Sequence, residues 1–407
     1  MRELYIGVMS GTSLDGVDIA FCDFSKEKVV ELLHFESYPF DDELKFDILK
    51  VINGQTTLHE IGSIDERLGR MYARHISEFL QKHSFVQKNI RAIGLHGQTL
   101  WHEPNGKYPF SMQLGNPNRV AYETNIAVVC DIRRKDIAAG GQGAPFAPVF
   151  HKFLFGHLGS KAAVVNIGGM ANISILNDEV IGYDTGCGNV LMDGWCSKYF
   201  GIPYDKDGKL AKEGELDTQL LEELLKDKYF SMPHPKSTGR EYFNLAWLED
   251  KLFCHNELVS GSKAGMLKQV QHDNGQVQDD KVDSCLRRND DELSSAGLKH
   301  DISQEDVLRT LTELTAATIA NEAKKFDRKL LMLSGGGAKN SFLKERITDL
   351  FGGEVRTTAD LGLREDAIES MMMAYFAYLR VNNQKAELKG VTGAKENLIL
   401  GGLYEAN

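Results

Sequence analysis

Residues 9–18 read MSGTSLDGVD, with ELYIGVM before them and VDIAFCDF overlapping their end. Two glycines, hydroxyls at Ser10, Thr12 and Ser13, and carboxylates at Asp15 and Asp18 crowd ten positions. The β-branched and aromatic flanks predict two strands joined by a glycine turn. A plain hairpin turn is the commonest use of such residues. Glycine also lets backbone approach a ligand closely, and consecutive amides form an anion nest.

The pattern recurs. AAVVNIGGMANISIL, residues 162–176, is again strand, glycine turn, strand, and opens a second half. EVIGYDTGCGNVLMDGWCSKYF, residues 179–200, is a strand breaking into glycines before a helical pattern. LLMLSGGGAKNSFL, residues 330–343, is a buried strand, three glycines and a helix start. RAIGLHGQT and IAVVCDIR read as further strands, the first ending in a loop. Ile61, Ile64, Leu68, Met71, Ile76 and Phe79 make a helical stripe over residues 59–80. Val307, Leu308, Leu311, Leu314, Thr318 and Ile319 make another, capped by Ser303 with Asp306. DAIESMMMAYFAYL near the end is a further apolar helix. Hairpin turns opening both halves, plus strand–GGG–helix, fit a nucleotide cleft between two related lobes.

Three widespread signatures do not occur in the chain: the GxxxxGK[ST] phosphate loop, the strand–GxGxxG–helix dinucleotide fingerprint and the GxSxG nucleophile elbow. The 407 residues suffice for two domains. A net charge of −11 argues against general binding to nucleic acid or anionic membranes. Six scattered cysteines without a CxxC pair read as reduced thiols, and no signal peptide or membrane span is evident, so a cytoplasmic protein is expected. His96 and His102, six apart, fall short of a metal site; hydrogen-bonding or core roles fit them better. From about 259 to 297, Asn, Gln, Asp and Ser dominate, which predicts an exposed, disordered insertion.

MSGTSLDGVD, LHGQTLWHEP, CDIRRKDIAAGGQGAP, VNIGGMANI, GYDTGCGN and LSGGGAKN, in that order, resemble the anhydro-N-acetylmuramic acid kinases. The resemblance covers nearly the whole chain outside the insertion. It implies an α/β fold, a two-lobed actin-like ATPase of ribonuclease H-like duplicated domains, with nucleotide and sugar in the interlobe cleft. The lobes are expected at 1–156 and 157–407, with the C-terminal helix packing back on the first. The implied activity is ATP- and Mg²⁺-dependent phosphorylation of 1,6-anhydro-N-acetylmuramic acid with hydrolytic opening of its anhydro ring. N-acetylmuramate 6-phosphate and ADP are the products, in peptidoglycan recycling by a cytoplasmic homodimer. Competing readings are an ordinary sugar kinase of this fold, or an inactive or nucleotide-gated binding homologue.

The resemblance assigns residues. Asp184 matches the catalytic base; read alone, it also suits a helix N-cap. Gly11, Thr12, Ser13, Leu14, Asp15, Gly16, Val17 and Asp18 match the ATP-phosphate loop. Asp15 or Asp18 would reach magnesium, or else close the turn. Gly168 and Gly169 would approach the phosphates from the other lobe, and Gly335, Gly336 and Gly337 would lie against adenosine. His96, Gln98, Asp131 and Arg133 match the sugar side. There Arg133 would take the lactyl carboxylate, or else pair with Asp131 or Asp136. Glu369 matches a glutamate close to the sugar, or is a solvated helix residue. Cys187 departs from the family's usual proline, which frees φ at that turn.

Overall fold

The computed structural model describes residues 2–11, 14, 16–26, 28–54, 56–265 and 302–406. Thr12, Ser13 and Asp15 therefore lie outside the described residues, as do residues 266–301, which include 266–297 of the expected insertion. The helix Leu245–Gly265 runs into the first part of that stretch, so residues 259–265 are helical.

Thirteen strands are described: β1 (Leu4–Ser10), β2 (Gly16–Lys26), β3 (Val29–Pro39), β4 (Ile90–Leu95), β5 (Gln98–Glu103), β6 (Phe110–Leu114), β7 (Val128–Cys130), β8 (Ala162–Ile167), β9 (Met170–Ile175), β10 (Ile181–Cys187), β11 (Leu330–Ser334), β12 (Glu354–Thr357) and β13 (Gly402–Tyr404). One sheet runs β13-β7-β4-β1-β2-β3, the other β10-β9-β8-β11-β12. In each, three antiparallel strands in sequence are followed by strands parallel to the first of them. The two halves thus share one strand order, third-second-first-fourth-fifth, which is the duplicated actin-like plan. β5 and β6 form a separate ribbon.

This topology gathers the turns. The carboxyl ends of β1, β4 and β7 share one edge of the first sheet; those of β8, β10, β11 and β12 share one edge of the second. Open α/β sheets bind ligands at such edges. The glycine turns after β1, β8, β10 and β11 all lie there or directly beside them.

Local chemistry fixes the flanking elements. Thr57 and Glu60 form a capping box at the start of the helix Leu58–Lys82, whose Leu68, Met71, Ile76 and Phe79 enter the core under the first sheet. Ser303 caps the helix Gln304–Lys325, but Asp306 turns away to accept the Glu215 amide at 2.6 Å. That helix is buried far beyond its apolar stripe, so Thr310 and Thr312 return their hydroxyls to carbonyls one turn back.

The helix Ile368–Val381 packs on β1 and β4 of the first sheet. Gly7 and Gly94 make this possible. A Cβ on Gly7 would stand 1.7 Å from the Ser370 carbonyl oxygen, and one on Gly94 1.9 Å from that of Met373. Among the described residues no helix is long and apolar enough to cross a membrane.

Candidate active site

A cavity of about 710 Å³ is lined from both sheets, by Ser10, Gly11, His96, Arg133 and Glu369 on one side and by Gly168, Gly169, Asn189, Asp193, Arg240 and Gly336 on the other. Sites of this volume suit a small-molecule ligand.

The first sheet supplies the opening turn. The Gly11 carbonyl accepts from Gln98 Nε2 and from the Leu14 amide, each at 3.3 Å. Leu14, in the left-handed region, and Val17 bury their side chains in the core and anchor the turn from below. Gly16 begins β2 against Pro39, and Asp18 lies opposite Met9 in the β1–β2 ladder. Gln98 is fully buried, and Thr99 lines the cavity in its place.

Arg133 sits differently from the expectation of a strand through residues 126–133. β7 stops at Cys130, Asp131 turns left-handed, and Arg133 opens the helix Arg133–Ala138. Asp131 pairs with Arg134 at 2.7 Å and does not line the cavity. Arg133 pairs with neither Asp131 nor Asp136. Its Nη1 donates to the Gly143 carbonyl at 2.7 Å, and its Nη2 lies 2.9 Å from His96 Nε2. His96 Nδ1 lies 2.7 Å from the Gly97 carbonyl, so that nitrogen carries the proton and Nε2 accepts. Burial first, then the Arg133 charge, brings His96 down to about 3, which keeps the imidazole neutral. Burial also lowers Arg133 to about 10, opposed by Glu369 and Asp136. The guanidinium remains charged at neutral pH. Asp136 fastens the loop behind it, accepting from the Gly143 amide and Thr392 Oγ1, each at 2.7 Å. Glu369, in the first turn of the helix Ile368–Val381, completes this side. His102 hydrogen-bonds Ser111 at 2.9 Å through Nδ1.

In the second sheet the Gly168 and Gly169 carbonyls accept the amides of Gly188, Asn189 and Val190 at 2.8–3.1 Å, locking the β8–β9 turn onto the helix Val190–Trp195. Gly335 has φ 79°, and a Cβ there or on Gly337 would strike Asn166 or Ile167. A Cβ on Gly336 would meet nothing within 4 Å. Two of these glycines serve packing against β8, and the middle one presents bare backbone to the cavity.

Asp184 lies within β10, not at a strand end, and the pairing of β10 with β9 slips between Asp184 and Gly186. Such a bulge re-aims a side chain. It caps no helix: the next one begins after Asn189. Its Oδ2 accepts from Ser237 Oγ and the Thr238 amide, each at 3.0 Å. It is 7 % exposed and is not among the residues that line the cavity. Burial raises it to about 6, held back by Thr238 and Ser237. A carboxyl there is matched to proton transfer near neutrality. Cys187 is buried and its thiol pushed up to about 12 by that burial, the opposite of an activated thiolate. Thr315 Oγ1, 3.3 and 3.1 Å from the Cys187 and Gly188 carbonyls, steadies the turn.

Sequence reasoning missed Ser237, Thr238, Arg240, Asn244 and Asp193. The run Lys236–Glu241 (KSTGRE), packed with charge and hydroxyls after Pro233 and Pro235, was the signal that could have found most of them.

A family profile described as anhydro-N-acetylmuramic acid kinase matches residues 3–271 and 289–406. The chain belongs to that family. It is 47 % identical over 405 residues to the anhydro-N-acetylmuramic acid kinase of Sulfurovum sp., covering 99 % of each chain. With that of Haemophilus influenzae it is 41 % identical over 409 residues, covering 99 % of this chain and 98 % of the relative. Among solved structures, the activator of 2-hydroxyisocaproyl-CoA dehydratase from Clostridium difficile with bound ADPNP aligns over 94 % of this chain and 96 % of its own, at 9 % identity and TM-score 0.40. The fold assignment rests on this chain's own duplicated strand order. The chain is a kinase.

Proposed function

We propose that the cavity binds ATP against the second sheet's glycine turns and 1,6-anhydro-N-acetylmuramic acid against Arg133, His96 and Glu369. Support comes from one observation above the rest: a single cavity joins the bare backbone of Gly11, Gly168, Gly169 and Gly336 to a guanidinium held by a neutral imidazole. Arg133 presents a fixed fork suited to the lactyl carboxylate. Asp184 takes a proton from water through the carboxylate that Ser237 and Thr238 orient. The water oxygen attacks the anomeric carbon, the C1–O6 bond breaks, and O6 takes the γ-phosphoryl group as ADP leaves. Magnesium would supply charge neutralisation at the phosphates, with Asp18 (or Asp15) as a hard oxygen donor beside the opening turn.

The lobes, 1–156 and 157–407, close over both ligands in this reading, as a cytoplasmic homodimer serving peptidoglycan recycling. Incubation with ATP, Mg²⁺ and the anhydro sugar is expected to release ADP and a sugar heavier by phosphate plus one water. No ADP above the sugar-free control overturns the proposal. A product heavier by phosphate alone selects an ordinary sugar kinase instead.

A further inference from the structure

Behind Asp184 lies a ring of buried polar groups that the proposed chemistry does not use. Lys236 is 2 % exposed and Glu322 5 %. The Lys236 Nζ donates to Glu322 Oε1 and to the Tyr229 carbonyl, both at 3.2 Å. It also lies 4.8 Å from the ring centre of Tyr229 and 5.8 Å from that of Tyr183. Tyr183 donates its hydroxyl to Glu322 Oε2 at 2.9 Å, and Lys325 reaches the same oxygen at 2.9 Å. Desolvating such a pair offsets most of its attraction, so stability is a weak account of it.

Its connections suggest another. Tyr183 directly precedes Asp184, and Lys236 directly precedes Ser237 and Thr238, the two donors to Asp184 Oδ2. The Asp184 amide donates to the Lys236 carbonyl at 3.0 Å, and Tyr229 donates its hydroxyl to the Asp184 carbonyl at 2.8 Å. β10 is an edge strand, and residues 236–238 belong to no described sheet. No β-ladder therefore holds the donors to the carboxylate. Glu322, from the rigid helix Gln304–Lys325, binds both segments at once.

The geometry points to the Lys236–Glu322 pair as a positioning device that holds Ser237 and Thr238 against Asp184 and so tunes that carboxylate as a base. The inference rests on the proposed role of Asp184 as that base. The groups acting on Asp184 are Thr238, Ser237 and Lys236, which lower its proton affinity, and Glu241, which raises it, all against a larger effect of burial. Tyr229 faces it with a neutral hydroxyl, and Glu322 and Lys325 face Lys236 from the helix. Removing Lys236 deletes one lowering charge and loosens two lowering donors. Both effects move Asp184 upward.

The test is ¹³C-carboxyl NMR titration of Asp184, assigned with Asp184→Asn, in the wild type, Lys236→Met and the charge-neutral Lys236→Met/Glu322→Gln. The double variant leaves no unpaired buried charge between these two positions, so it stays folded if the single variant does not. Upward displacement by about 0.5 unit or more is expected in the variants. So is a fall in kcat of about 10- to 100-fold, with KM for both substrates kept within about 2-fold. An unmoved titration in the double variant overturns the inference, as does activity lost only in proportion to folded protein. The titration needs no turnover. A wild type inactive on the anhydro sugar would therefore sink the proposed function without touching this result.

Discussion

Gly94→Ala perturbs the contact that seats Glu369 beside the cavity. The new Cβ would lie 1.9 Å from the Met373 carbonyl oxygen and 2.5 Å from its carbon. Both are backbone atoms, so no rotamer change relieves the overlap. Ordinary contact needs the helix Ile368–Val381 to retreat by about 1.5 Å in a core packed at crystal density. Overpacking costs about 1–3 kcal/mol, and a backbone collision belongs at the upper end. For a chain of 407 residues, about 3 kcal/mol corresponds to a fall in Tm of about 3–4 °C. Glu369 lies one turn away on the same helix, so its carboxylate shifts by about 1 Å, enough for a loss of about 10- to 100-fold in kcat/KM. Calorimetry and steady-state kinetics on the purified variant read both effects. A Tm within about a degree of wild type, with unchanged kinetics, would refute the tight seating of the helix on β4.

Gly336→Ala separates packing from binding: its Cβ meets open space, so Tm should hold while KM for ATP rises by about 10-fold, checked by calorimetry and kinetics. Asp184→Asn should reduce kcat by about 10²- to 10⁴-fold while leaving the binding of the sugar, measured by calorimetric titration, nearly intact. In the wild type, kcat/KM for the sugar should fall below a pH of about 6, where the Asp184 carboxylate takes up its proton. Because folding raises this carboxyl above its unfolded value, the wild type loses stability as pH rises from about 4 to about 6. Asp184→Asn should therefore gain Tm relative to wild type at pH 8 and lose that advantage at pH 4. Arg133→Lys keeps a charge but not the fork, and should raise KM for the sugar acid by about 10-fold with ATP affinity unchanged, measured by varying each substrate in turn.

The fold was legible to the extent that local patterns carry it. Ile6, Val8, Val17 and Ile19 around one glycine turn, and Val165, Ile167, Ala171 and Ile173 around another, specify two hairpins whatever surrounds them. The stripe from Ile64 to Phe79 specifies a helix for the same reason. The β5–β6 ribbon was not legible, because Gln98–Glu103 alternates too weakly to signal a strand. Nor was the early end of β7, where one left-handed residue, Asp131, re-aims the chain and hands Arg133 to the cavity and Asp131 to Arg134.

The site divides along the same line. Residue types, order and glycine turns by themselves determined a duplicated α/β plan with strand–turn units in both halves, since each unit is written in contiguous residues, and the ordered motifs' resemblance to the anhydro-N-acetylmuramic acid kinases supplied the family. That resemblance, rather than the residue types, pointed to Asp184, Arg133, His96 and Glu369. Only the tertiary structure decided what each of these groups touches. Arg133 faces a neutral His96 rather than an acid, Asp184 answers to Ser237 and Thr238 more than fifty residues away, and Gly94 admits a helix from the other end of the chain. Partners so far apart in sequence share no local pattern. Burial, which sets the charge of His96 and the proton affinity of Asp184, exists only once distant segments have closed around them.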